Sequence, residues 1–148
     1  MSENLADYKH KTPIQVRFSD LDLYGHVNNA IYLSYFETAR LHYWKEVLQW
    51  DWNESGIILA RAEVNYVKPV VRGDELACYV RTTRIGNSSF DIMHVLVKVT
   101  ADGEEICTTG KTVCISYDYG VNKPVKIPPE QRERMIAYDE PPLILNSN

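Results

Sequence analysis

Cysteine is scarce in this chain of 148 residues: Cys78, Cys107 and Cys114 form an odd set with no C-x-x-C pair. That argues against a disulfide framework and against a zinc ribbon. His10, His26, His42 and His94 have no H-E-x-x-H or related spacing, so no metal is expected. No apolar run is long enough to span a bilayer, and the N-terminus MSENLADYKHK lacks the apolar segment of a secretory signal. The expectation is a reducing, cytoplasmic setting in which the three cysteines act as small buried hydrophobes. If Cys107 and Cys114 share one strand, their odd spacing puts them on opposite faces. Positive charge is not in excess either. Sixteen Lys and Arg against 20 Asp and Glu give a net charge of -4, which disfavours nucleic acid as a partner.

What remains is ordinary globular composition, 45% hydrophobic and 24% charged, enough for one domain over residues 1–148 without staples. Ten Tyr and three Trp are many for this length, and such amphipathic rings often line binding surfaces or interfaces. There is no internal repeat and no low-complexity segment.

The first dozen residues are polar and are expected to be loose. Ile14, Val16 and Phe18 then alternate with Gln15, Arg17 and Ser19, the pattern of a half-buried strand. A polar turn from Asp20 to His26 follows, and Asn28 and Asn29 are favoured helix caps. From Ala30 to Trp50 there is no Gly or Pro. Ile31, Tyr35, Ala39, Tyr43 and Val47 fall at helical spacing, with Phe36 and Trp44 widening the stripe. This predicts one long helix of roughly 30 Å at ~1.5 Å per residue. Residues 51–56 read as a loop. Ile58, Ala60, Ala62, Val64 and Tyr66 then share one strand face, opposite Arg61, Glu63 and Asn65. Strands follow over 75–85, over 90–100 with Met93, Val95, Val97 and Val99 on one face, and over 106–117. They are joined by Gly86–Ser89 and Asp102-Gly103 turns. The tail carries Pro124, Pro128, Pro129, Pro141 and Pro142 and one short helical candidate over 130–137. The order of one strand, one long helix and four strands is an α+β fold with an antiparallel sheet of about five strands. One helix leaves part of such a sheet uncovered, and oligomerisation is the usual remedy.

The densest polar cluster, Asp20, Asp22, His26, Asn28 and Asn29, falls where a strand ends and the long helix begins. A helix N-terminus presents unsatisfied N–H groups and the positive end of a dipole, which can hold an oxyanion developing on a carbonyl. A carboxylate beside it can serve as general base or nucleophile on that carbonyl. The same residue types also serve simply as caps and turn formers. Residue type alone leaves both readings open.

Asp20-Leu21-Asp22-x-x-Gly25-His26-Val27-Asn28-Asn29-x-x-Tyr32 resembles the signature of the 4-hydroxybenzoyl-CoA thioesterase family, the hotdog-fold acyl-CoA thioester hydrolases. Tyr35-Phe36-Glu37-x-Ala39-Arg40 looks like the family's helix pattern. Asn65-Tyr66-x-x-Pro69-Val70-x-x-Gly73-Asp74 and Arg84-Ile85-Gly86-x-Ser88-Ser89-Phe90 look like its second-strand exit and following hairpin. The four motifs run in order from about Ile14 to Tyr117. The resemblance implies a hotdog core over about 14–117, a sheet wrapped around one long central helix, with a tail over 118–148.

It also implies roles. Asp22 would be the catalytic carboxylate, attacking the thioester carbonyl or activating water. Backbone amides near Asn28 and Asn29 would be the oxyanion donors, with the Asn29 side chain of little weight. His26 would orient the substrate or donate near its carbonyl, or be a plain turn histidine, and Asp20 would shape the turn. Glu37 is the rival carboxylate, although pairing with Arg40 at i,i+3 is the favoured reading. Glu63 is read as structural. Substrate contacts would come from Tyr32, Arg61, Arg84, Ser88 and Ser89, with Arg72, Lys98 and Lys111 as further cationic candidates for a phosphorylated head. Tyr32, Tyr35 and Tyr66 suit an acyl pocket, the core or a dimer interface. The implied reaction is acyl-CoA hydrolysis by a homodimer or homotetramer, with no cofactor except coenzyme A as part of the substrate. An acyl-carrier-protein thioesterase and a non-catalytic acyl-CoA-binding module are the alternatives.

Overall fold

A computed structural model describes residues 3–139 and 142–144. Met1, Ser2 and Pro141 lie outside the described residues. Strand β1 is His10–Ile14, helix α1 is Ile31–Tyr43, and strands β2 to β5 are Gly56–Tyr66, Leu76–Ile85, Ser89–Thr100 and Gly103–Asp118. The two-residue strand β6 (Lys123–Pro124), helix α2 (Pro129–Tyr138) and the two-residue strand β7 (Leu143–Ile144) complete the order. The main sheet runs β1-β3-β4-β5-β2, its pairs all antiparallel. Beside it, β6 pairs with β5 and β7 lies parallel to β3. With α1 packed into one face, this is the hotdog arrangement. Among the described residues no helix is long and apolar enough to cross a membrane.

Helix α1 forms where the apolar stripe predicts. Tyr32, Tyr35, Phe36, Ala39 and Tyr43 are buried against Cys78, Phe90, Ile92, Leu96 and Cys114 of the sheet. Beyond Tyr43 the helix widens into a π turn over Trp44–Leu48 and stops at Gln49, whose φ is +50°. The helix therefore ends two residues before the predicted Trp50, which is itself buried. Close packing of the helix on the sheet depends on Gly110 of β5. A Cβ there would lie 2.2 Å from the Phe36 ring and 2.9 Å from the Glu63 carbonyl.

The structure shifts several expectations. From Leu5 on, the N-terminal segment packs on the sheet rather than lying loose. Leu5 and Tyr8 cover the outer sheet face with Ala77, Val95 and Val97, and β1 occupies a sheet edge. The strand predicted to begin at Ile14 instead ends there; three residues on, Phe18–Asp20 forms a 3-10 turn that leaves Phe18 exposed. Arg40 does not pair with Glu37. Its guanidinium is buried over the Trp44 ring, with the centroid 5.4 Å away, while Glu37 faces solvent.

Two bulges correct the strand faces. Ala60 is the extra residue in β2, since Leu59 pairs with Cys114 and Arg61 with Val113. Ala62, Val64 and Tyr66 oppose Arg61, Glu63 and Asn65 as predicted, but Ile58 changes sides and Ile57 takes the inner face. Cys107 is the extra residue in β5, and it joins Cys114 in the main core rather than on the opposite face. All three cysteines are free and buried. Burial pushes the Cys107 thiol up to about 11 and Cys114 up to about 12, which leaves little thiolate at neutral pH.

Helix α2 packs on the π turn that ends α1, with the Gln131 side-chain amide donating to the Gln49 carbonyl at 3.0 Å. Asp139, just past α2, accepts hydrogen bonds from the Lys9 amide at 3.2 Å and the Tyr43 hydroxyl at 3.5 Å. Burial raises its carboxyl to about 6 against the lowering effects of the Lys9 amide and Arg81. The folded state then holds this proton more tightly than the unfolded chain. Its contribution favours the fold at low pH and turns unfavourable as pH rises from about 4 to about 6. Asp139→Asn is therefore expected to stabilise the protein by about 1–2 kcal/mol at pH 7.5, with the gain vanishing near pH 4. Urea midpoints at the two pH values check this.

Candidate active site

The chain from Asp20 to Asn28 folds into a small two-stranded ribbon. The Asn28 amide donates to the Asp20 carbonyl at 2.9 Å, and the Asp22 amide donates to the His26 carbonyl at 2.7 Å. The turn between them closes by a Gly25 N–H to Asp22 carbonyl bond of 3.1 Å, with Gly25 at φ +77°, a conformation that favours glycine. The ribbon is docked by Val27 N–H on the Val70 carbonyl at 2.8 Å and Arg72 N–H on the Gly25 carbonyl at 3.1 Å.

Asp22 is exposed on this ribbon. Its Oδ1 accepts from the Tyr24 amide at 2.9 Å and the His26 amide at 3.1 Å. Those bonds fix the carboxylate in one orientation and leave Oδ2 as the oxygen available to act.

The helix start differs from expectation. Neither Asn28 nor Asn29 is the residue directly before the helix; Ala30 is, in a helical conformation. An extra turn precedes α1, and Asn28 caps that turn instead. Its Oδ1 accepts from the Ala30 amide at 3.1 Å and its carbonyl from Ile31 at 2.9 Å. Between these satisfied amides, the Asn29 N–H meets no acceptor among the described residues. Its carbonyl is held by the Tyr66 hydroxyl at 2.8 Å.

Asp22, His26, Asn29 and Tyr32 line one cleft of about 240 Å³, with Val27 beside them and Tyr66, Val67, Lys68 and Pro69 from the end of β2. Tyr32 is almost wholly buried. Its hydroxyl accepts from the Val70 amide at 3.1 Å, and its ring meets Tyr66 edge-on at 5.1 Å. Burial, opposed by the Val70 amide, raises its hydroxyl above the usual phenol range, so it remains protonated. Lys68 was not foreseen. It brings a cation to the cleft and pairs with Glu105 at 3.2 Å. The strand-exit motif marked this stretch in the sequence, but only the curl of the sheet brings it over the helix start.

The other predicted contacts do not converge here. Arg61 sits on the outer face of β2, paired with Glu63 at 2.5 Å. Arg84 bonds Ser89 Oγ at 3.0 Å and Asp91 Oδ1 at 2.9 Å, in the β3–β4 hairpin with Ser88. That hairpin closes the far end of β3, a ten-residue strand of roughly 30 Å at ~3.3 Å per residue. Within one protomer, Arg84, Ser88 and Ser89 therefore lie away from the Asp22 cleft. Glu37 does not line the cleft either. Among the described residues no three His, Cys, Asp or Glu side chains gather as metal ligands.

The thioesterase-like superfamily model matches residues 16–135, most of the chain and all of this cleft. The chain belongs to the thioesterase-like superfamily. A thioesterase from Thermus thermophilus, solved with coenzyme A and Zn, is 37% identical with a TM-score of 0.77, covering 88% of this chain and 99% of that one. The PA5185 protein of Pseudomonas aeruginosa PAO1 is 31% identical with a TM-score of 0.81, covering 91% and 94%. The long-chain acyl-CoA thioesterase FadM of Escherichia coli K12 is 28% identical over 129 residues, 84% of this chain and 96% of its own. As a member of this superfamily, the protein is a thioester hydrolase.

Proposed function

We propose that this thioesterase cleaves acyl-CoA to a free acid and coenzyme A, within the 4-hydroxybenzoyl-CoA thioesterase branch of the superfamily, with Asp22 as the working carboxylate. The observation that carries the reading is the pairing of Asp22, held by two amides, with the Asn29 amide at the head of α1 in one cleft. The thioester carbonyl oxygen fits the Asn29 N–H, where charge develops on attack. Asp22 Oδ2 then either adds to the carbonyl carbon, or takes a proton from the water that does. In the first route the C–S bond breaks, and water later cleaves the acyl–Asp22 anhydride. In the second the proton passes to the departing thiolate. A thiol with a pKa of roughly 8.5 leaves without a strong general acid, so a site this sparse suffices. The reading calls on no cofactor beyond the coenzyme A of the substrate.

FadM's name and the coenzyme A in the Thermus structure support the CoA assignment. The reading places a second copy of the chain beside the first. Strand β2 is an eleven-residue edge with Leu59 and Tyr66 exposed, an aggregation hazard unless paired. A homodimer, or a homotetramer built from dimers, covers it and brings the Arg84–Ser89 hairpin of one protomer toward the cleft of another.

Thiol release from a panel of acyl-CoAs tests the proposal, with the same acyl groups on acyl-carrier protein run alongside. Preferential turnover of one class of acyl-CoA is expected. Faster turnover on the carrier protein would overturn the CoA assignment, and tight binding without turnover would overturn catalysis.

A further inference from the structure

Asp20 is buried, yet it is not the carboxylate that faces the cleft. Oδ2 accepts from the Arg17 amide at 2.9 Å and from the Tyr35 hydroxyl at 2.7 Å. Oδ1 accepts from Arg17 Nε at 3.2 Å and from its terminal nitrogen at 3.1 Å. Its own carbonyl receives the Asn28 amide, the bond that closes the base of the Asp22 ribbon. Capping of the 3-10 turn accounts for the Arg17 contacts. It does not account for Tyr35, which reaches from the second turn of α1, fifteen residues away. Burial pushes the Asp20 carboxyl up, but the Arg17 amide, Tyr35 hydroxyl and Arg17 charge outweigh it and hold the group below the usual carboxylate range. The Tyr35 hydroxyl is pushed well above the phenol range, first by burial and then by Asp20. The pair thus stays as carboxylate and phenol through the working pH range.

Tyr35 also meets Tyr32 edge-on at 6.1 Å, and Tyr32 meets Tyr66, whose hydroxyl holds the Asn29 carbonyl. One run of contacts therefore joins the base of the ribbon carrying Asp22 to the peptide at the head of α1.

We propose that Asp20 and Tyr35 are positioning residues, the Tyr35 hydroxyl fixing Asp20 so that the Asp22 carboxylate is held at a set distance from the Asn29 amide. The inference rests on the reading of Asp22 given above. It predicts a loss in the chemical step rather than in substrate affinity, because a misplacement of about 1 Å costs on the order of 100-fold in rate.

Tyr35→Phe removes one oxygen from a packed ring. Asp20→Asn keeps one side-chain oxygen, an amide carbonyl, as an acceptor, and Asp20→Ala keeps none. The expected result for Tyr35→Phe is a kcat lowered by about 10- to 100-fold with KM within about threefold. Asp20→Asn should retain more activity than Asp20→Ala. Amide hydrogen exchange of Tyr24 and His26, the two donors to Asp22, should quicken in Tyr35→Phe while exchange in the central sheet does not. Asp22→Asn is assayed in parallel. If it is inactive while Tyr35→Phe keeps full kcat and unchanged Tyr24 and His26 exchange, the positioning role is overturned and the role of Asp22 stands. If Asp22→Asn keeps wild-type kcat, the reading of Asp22 falls, and the positioning role with it.

Discussion

Asp22→Asn is expected to lower kcat for acyl-CoA hydrolysis by about 10²–10⁴-fold, the span set by removing a general base or nucleophile. The substitution is close to isosteric. An asparagine Oδ1 still accepts from the Tyr24 and His26 amides, so the ribbon keeps its shape. What is lost is the charge on the second oxygen, and with it both the nucleophile and the base. KM should change little, since the cleft walls from Tyr32, Tyr66 and Pro69 are untouched. The melting temperature should hold, because Asp22 is exposed. A large fall in melting temperature with a proportionate loss of activity would instead mark Asp22 as a turn former, the bland reading that its residue type always allowed.

Phe36→Ala is expected to cost about 3–5 kcal/mol of stability, the usual penalty for emptying a fully buried aromatic site. The ring stacks on His94 with centroids 4.8 Å apart and lies directly over Gly110. Gly110→Ala alone should destabilise by roughly 1–3 kcal/mol, because the new methyl group meets the Phe36 ring. In the Phe36→Ala background the same change should cost less, since its two nearest contacts, both on the Phe36 ring, are gone while the Glu63 carbonyl stays. Urea denaturation of the two single variants and the double variant measures the coupling. Additive losses would show that the helix does not rest on Gly110. Phe36 follows Tyr35 in α1, so the set of the helix on the sheet also bears on the position of Asp20.

The main elements were legible because each carries an unbroken periodic signal. Tyr35, Ala39 and Tyr43 at spacing four, and Met93, Val95, Val97 and Val99 at spacing two, mark their faces without reference to the rest of the chain. The bulges at Ala60 and Cys107 were not legible, since one extra residue inverts the alternation and its place is set by the neighbouring strand's register. The same limit governed the site. Asp22, His26 and Asn29 are near one another in sequence, and a motif shows them. Lys68 and Tyr66 reach them only through the fold, and Arg84 is carried away from them by the length of β3. Phe18 fits the alternation of Ile14 and Val16 but is turned outward, because the buried Asp20 beside it draws the chain into a 3-10 turn. A buried carboxylate satisfied by a distant tyrosine leaves no trace in local pattern.

The most direct test of the account is a structure with a non-hydrolysable acyl-CoA thioester analogue bound. The carbonyl oxygen, or its surrogate, is expected within hydrogen-bonding distance of the Asn29 amide, about 3 Å. Asp22 Oδ2 is expected about 3–3.5 Å from the carbonyl carbon, or from a water poised on it. An analogue bound with its carbonyl against Glu37, or elsewhere away from the head of α1, would contradict it.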